Sequence, residues 1–157
     1  MKARGGGLKI PTVYNCGGYE KVETLKAVDG LIDIYMPDLK TLDPGFARCT
    51  LNAPDYPERV REALEEMHRQ VGDLEIRNGR AVKGLLVRHL VMPGQVEDSK
   101  RCLEFLKSLS PDSAVNVMRQ YRPVYKAEEY SGINRRPSSE EISGARAYAR
   151  SLGLRLL

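Results

Sequence analysis

Hydrophobic positions along the chain switch repeatedly between a period of two and a period near 3.6, the marks of strand and amphipathic helix. Residues 10–15 read as a strand closed by Cys16-Gly17-Gly18, and 19–28 as a short helix with Val22, Leu25 and Val28 inward. Residues 31–40 form the second strand, followed by a short helix over 43–51. A longer helix over 57–71 carries Val60, Ala63, Leu64, Met67 and Val71 on the helical period. A small hairpin is predicted over 74–83, because Asn78-Gly79 favours the primed turns that hairpins need. The apolar run 85–92, broken by Arg88 and His89 and ended by Pro93-Gly94, is a third core strand. A helix over 97–109 and a fourth strand over 114–118 follow. Ser138 and Glu141 form a capping box for a last helix that buries Ile142, Ala145, Ala149 and Leu152. At the start, Lys2-Ala3-Arg4 before three glycines resembles the end of a helix and its cap.

Strand–helix alternation four times over, with one hairpin inserted, predicts an α/β fold: a parallel sheet with outer helices. Residues 1–157 read as one domain, long enough to bury a core, with 41% hydrophobic and 29% charged residues. The net charge of +4 is mild and its cations are interspersed with carboxylates, so nucleic-acid binding is not implied. No apolar run approaches the roughly 20 residues that span a bilayer and no signal-peptide pattern opens the chain, which predicts a cytoplasmic protein without a membrane partner.

Cys16, Cys49 and Cys102 are far apart, against a disulfide framework and for a reducing compartment, and they show no metal-ligand spacing. Cys102 falls on an apolar stripe with Phe105, Leu106 and Leu109 and reads as core. Cys49 reads as inert. Cys16, in a glycine turn at a strand end, keeps a functional alternative. With two histidines in the chain, a histidine metal site is not expected; His89 should face the helices as a satisfied core residue.

The candidate chemistry sits at strand ends. In Ile34-Tyr35-Met36-Pro37-Asp38-Leu39-Lys40, alternation puts Ile34, Met36, Asp38 and Lys40 on one face. A carboxylate and an ammonium therefore share the carboxyl end of a strand, where parallel sheets place ligands. The first strand contributes Asn15 and its glycine turn, the third Arg88, the fourth Gln120 and Tyr121. A lone arginine in an apolar strand is costly unless paired. Arg88 can meet Asp38 or a ligand carboxylate, and both readings stand.

Four stretches, Val13 to Tyr19, Asp33 to Lys40, Val87 to Gly94 and Gln120 to Pro123, resemble in order and spacing the later part of radical S-adenosylmethionine (SAM) proteins. Among these proteins the stretches are similar to homologues of pyruvate formate-lyase activating enzymes. The resemblance implies a partial (β/α) barrel, with about four of its six strand–helix units in this sequence. It implies SAM and a 4Fe-4S iron–sulfur cluster at the carboxyl-end mouth, and a 5′-deoxyadenosyl radical that abstracts hydrogen. In activating enzymes the substrate is a glycyl-radical protein. By position, Asp38 and Lys40 match an Asp-x-Lys motif, with Lys40 near the methionine carboxylate of SAM and Met36 before them. Asn15, Arg88, Gln120 and Tyr121 complete the SAM-side set, with catalytic residues unassigned. The family's Cys-x-x-x-Cys-x-x-Cys loop and Gly-Gly-Glu motif are not in this sequence, and the three cysteines come from separate elements that cannot replace them. The expectation is therefore the carboxy-terminal part of such an enzyme, inactive by itself, either a fragment or one piece of a split enzyme whose amino-terminal half is on another chain, with an exposed edge that invites homo-oligomers. The rival is a non-catalytic binding module derived from the same fold. A hydrolase or phosphatase reading finds no nucleophile motif or P-loop.

Overall fold

In a computed structural model, residues 6–7 and 9–157 are described. The helix-end reading of residues 2–4 lies outside them; Gly6 and Gly7 form a turn. Five strands run parallel in the order of the chain, β1 (Val13–Cys16), β2 (Ile34–Leu39), β4 (Arg80–Leu90), β5 (Ala114–Met118) and β6 (Arg155–Leu156), with β3 (Glu75–Arg77) antiparallel on β4. Between them lie α1 (Val22–Ala27), α2 (Pro44–Leu51), α3 (Tyr56–Val71), α4 (Val96–Leu109) and α5 (Ser139–Ser151).

Strand alternation sorts the sheet into two faces. Tyr35, Leu39, Leu85, Val87, Val115 and Val117 are buried in one core with Val60, Leu64 and Met67 of α3 and Leu103 and Leu106 of α4. Their sequence neighbours Met36, Asp38, Arg88, Leu90 and Asn116 point the other way and are half-buried. Burying large apolar side chains at roughly 1.5–3 kcal/mol each drives this one-sided packing. The helix-free face is plugged at the amino ends of its strands, where Ile34, Leu74 and Ala114 cluster with Ala81 and Leu86. Arg155 ties the plug down by donating to the Leu74 carbonyl at 2.7 Å. The same face stays open at the carboxyl ends.

Several boundaries differ from expectation. The first strand starts at Val13, and Ile10 is 69% exposed. Pro11 has no N–H to donate, and the Thr12 amide is taken by the Asp33 carboxylate at 2.7 Å instead. The first helix shrinks to Val22–Ala27. The predicted hairpin and the third core strand prove to be one ladder, because β4 runs unbroken for 11 residues. Gly84 permits this: at φ +113 it lets the Asp73–Leu74 backbone cross so closely that a Cβ would sit 2.2 Å from the Asp73 carbonyl oxygen. Asn78 and Gly79 both take positive φ, as the hairpin expectation required. The capping box at Ser138 and Glu141 is present, and Ala145 and Ala149 are buried, with Ile142 and Leu152 packed beside them. The two-residue β6 and the plug were not foreseen. No helix of the described residues is long and apolar enough to cross a membrane.

Candidate functional site at the carboxyl ends of the parallel strands

Register brings Asp38 of β2 directly opposite Arg88 of β4. Arg88 donates from Nη2 at 2.6 Å and from Nε at 2.8 Å to the same oxygen, Asp38 Oδ1. The other oxygen, Oδ2, lies 3.9 Å from Lys40 Nζ. The pair is only partly withdrawn from water, with side chains 24% and 18% exposed, while Lys40 is 36% exposed at the rim. The ion pair anticipated for Arg88 therefore forms, and it leaves the Lys40 ammonium as the more accessible charge.

The backbone beneath Lys40 is clamped by a residue that the sequence did not single out, just before the helix predicted over 57–71. Tyr56, 2% exposed at the start of α3, accepts from the Lys40 amide at 3.1 Å. Its hydroxyl lies 3.0 Å from both the Gly17 and the Asp38 carbonyls and can donate to one at a time. Burial pushes the Tyr56 phenol far above its ordinary range, so it stays a donor. Gly18, at φ +79, completes the clamp: a Cβ there would meet the Asp38 carbonyl oxygen at 2.2 Å. The ends of β1 and β2 are thus locked together, which fixes Asp38 and Lys40 in place.

Asn15 and Met36 are paired across β1 and β2 on the same face, Asn15 exposed and Met36 half-buried. Asn116 stands next to Arg88 across β5 and extends the polar row. It was missed, although alternation within 114–118 puts it on the face opposite Val115 and Val117. Gln120 and Tyr121 lie beyond the sheet. Gln120 is exposed, its amide 3.1 Å from the Met118 sulfur. Tyr121 donates to the Ile133 carbonyl at 2.7 Å, so its hydroxyl holds the 119–133 loop. Its side also lines a hollow of about 530 Å³ together with Lys40, Leu90 and Met92.

The cysteines do not converge. Cys16 packs toward the helices, and burial, aided by the Glu20 and Asp38 carboxylates, pushes its thiol up to about 11. A thiol so raised is a poor nucleophile and ligand near neutral pH. Cys102 is buried in the core and Cys49 is exposed on α2. Among the described residues no three His, Cys, Asp or Glu side chains are grouped to hold a metal ion. His89 faces the helices as expected, 1% exposed, with Nδ1 2.8 Å from the Leu39 carbonyl and Nε2 3.0 Å from the Ser99 hydroxyl.

No family model matches the chain. It is 32% identical over 149 residues to the "Uncharacterized protein MJ0674" of Methanocaldococcus jannaschii, an alignment that takes in 94% of this chain and 40% of that protein. The chain thus spans two fifths of the length of this curated relative.

Proposed function

We propose that the chain is the carboxy-terminal part of a radical SAM enzyme resembling pyruvate formate-lyase activating enzymes, and that it contributes SAM and substrate binding. The supporting observation is the set Asp38, Lys40 and Arg88, held together at the carboxyl ends of adjacent parallel strands on the face opposite the packed α-helices of the described residues. Lys40 would receive the methionine carboxylate of SAM. Arg88 fixes Asp38, and Asp38 holds the ammonium toward the mouth. Cys16, Cys49 and Cys102 do not fit an iron–sulfur cluster, since three thiolates must converge on it and these stand on β1, α2 and α4, Cys49 exposed and Cys102 buried in the core, with no ligand cluster among the described residues. Cluster ligands would have to come from another polypeptide segment with the Cys-x-x-x-Cys-x-x-Cys motif, and a glycyl-radical protein is one candidate substrate. That misfit also favours a second reading, a binding module that performs no radical chemistry.

Calorimetric titration with SAM tests the proposal, on the chain mixed with a polypeptide bearing the cysteine motif. Lys40→Ala should weaken binding about tenfold or more, the worth of a hydrogen bond to a charged group. SAM affinity indifferent to Lys40 would remove the proposal's support. Anaerobic reconstitution of the chain alone with iron and sulfide should give no stoichiometric cluster; a paramagnetic signal from one would contradict the assignment.

A further inference from the structure

Two hollows share a wall beside the carboxyl ends of β4 and β5. The larger, about 530 Å³, is lined by apolar and aromatic side chains, among them Phe46, Leu90, Met92 and Tyr130. Its volume falls within the roughly 300–1,000 Å³ of small-molecule sites. The smaller, about 420 Å³, lies between Arg119, Arg136 and Pro137. Tyr121 and Arg122 line both.

The charged side chains that line these two hollows are all cationic, and of them Lys40 alone has a carboxylate beside it among the described residues, Asp38 at 3.9 Å. Lys40, Arg122 and Lys126 line the first and Arg119, Arg122 and Arg136 the second, with no aspartate or glutamate in either wall. Among the described residues, Arg119, Arg122, Lys126 and Arg136 have no carboxylate within ion-pair distance. The contrast is the groove between α1 and α3, where Arg59 and Arg69 are both paired with carboxylates. Cations gathered without counter-charges repel one another, and an anion between them relieves that repulsion.

We infer that the two hollows form one site for a small amphipathic anion, its apolar body in the larger hollow and its carboxylate or phosphate at the shared wall, against Arg122 with Arg119 and Arg136 beyond. Tyr121 supports the wall through its bond to Ile133, which keeps the loop that carries the arginines in place. Tyr125, 89% exposed at φ +57, stands at the rim of the larger hollow. If the proposed function holds with a small-molecule substrate in place of a glycyl-radical protein, this occupant is that substrate, and Lys40 stands in the wall between it and SAM. The binding itself requires neither SAM nor a cluster, so its failure leaves the radical SAM proposal to its own test.

Calorimetry on the full chain with 4-phenylbutyrate, 4-phenylbutylphosphonate and 4-phenylbutyramide decides the matter. At least one of the two anions should bind about tenfold tighter than the uncharged amide, a difference of about 1.4 kcal/mol. Whichever anion is tighter identifies the head group. Arg122→Gln, an exposed loop change, should bring the anions to the level of the amide. Equal affinities for all three, or no binding of any, would overturn the inference without recourse to a variant. So would an anion preference that survives Arg122→Gln, or an acidic peptide that binds where all three small molecules fail.

Discussion

Arg88 and Asp38 are the pair on which the open face depends. Arg88 finds no second carboxylate among the described residues, whereas Asp38 has Lys40 in reserve. Truncation of Asp38 therefore strands a guanidinium that is three-quarters out of water. A fully buried pair broken this way costs roughly 3–5 kcal/mol, and partial exposure reduces the cost. Asp38→Ala should lose about 1–3 kcal/mol in urea unfolding, and Asp38→Ala with Arg88→Met should recover most of it. An unchanged midpoint in the single variant would mean that the pair contributes nothing to the fold. His89 makes a different kind of prediction. Desolvation lowers its pKa, only partly offset by its bond to Leu39 and by the Asp98 carboxylate. The neutral ring donates from Nδ1 to Leu39 and accepts at Nε2 from Ser99, an arrangement a second proton would break. Its contribution is complete above the ordinary histidine value of 6.5 and is lost as pH falls through the depressed folded value, because the unfolded chain then binds the extra proton. Stability should decline as pH is lowered below 6.5, and the His89 ring signals in nuclear magnetic resonance should titrate below that value. Ring signals that titrate at or above 6.5 would contradict its burial as a neutral group.

At the scale of elements, two glycines with opposite surroundings separate turn geometry from helix propensity. Gly18→Ala would push a Cβ into the Asp38 carbonyl at a positive φ and should cost about 2 kcal/mol or more. Gly144→Ala, in α5 with nothing within 4 Å of the new methyl, should gain about 0.5–1 kcal/mol from helix propensity. Paired thermal melts of the two variants check both signs at once. The helices and core strands were legible because their apolar periods are strong, as in Val60 to Val71, and the capping box was legible from Ser138 and Glu141 alone. What escaped depends on tertiary contact. Gly84 carries a strand breaker's signature, yet it continues β4 because another segment's backbone crosses it. Tyr56 looks like an ordinary helix-start residue until its hydroxyl is seen between two carbonyls. β6 is two residues long, too short for any period to register. Asp38, Lys40 and Arg88 were found because polar residues on an apolar strand face are costly and therefore conspicuous; Gln120, in an exposed loop, carried no such signal and sits apart from them.

The whole molecule presents two surfaces that ordinary sheets cover. Among the described residues β1 pairs only with β2, so its outer backbone edge is open, and Val13 on the helix-free face is 53% exposed. Unpaired strand edges with apolar neighbours attract further strands. The plug of Ile34, Leu74 and Ala114 covers the helix-free face at one end, but toward the carboxyl ends Met36 and Leu90 remain only half-buried. Helices cover the opposite face, so association should proceed through the β1 edge and the open mouth rather than through the helical side. The isolated chain should therefore self-associate at micromolar concentrations and above, as read by light scattering on a size-exclusion column. Val13→Lys, a charge on the edge strand, should shift that equilibrium toward monomer while circular dichroism stays unchanged. A polypeptide that supplies the cluster motif and pairs with β1 should compete with self-association in the same way, because both need the same edge. A monodisperse monomer at high concentration, indifferent to Val13→Lys, would show that the edge is protected and would favour the stand-alone binding module over a part awaiting its complement.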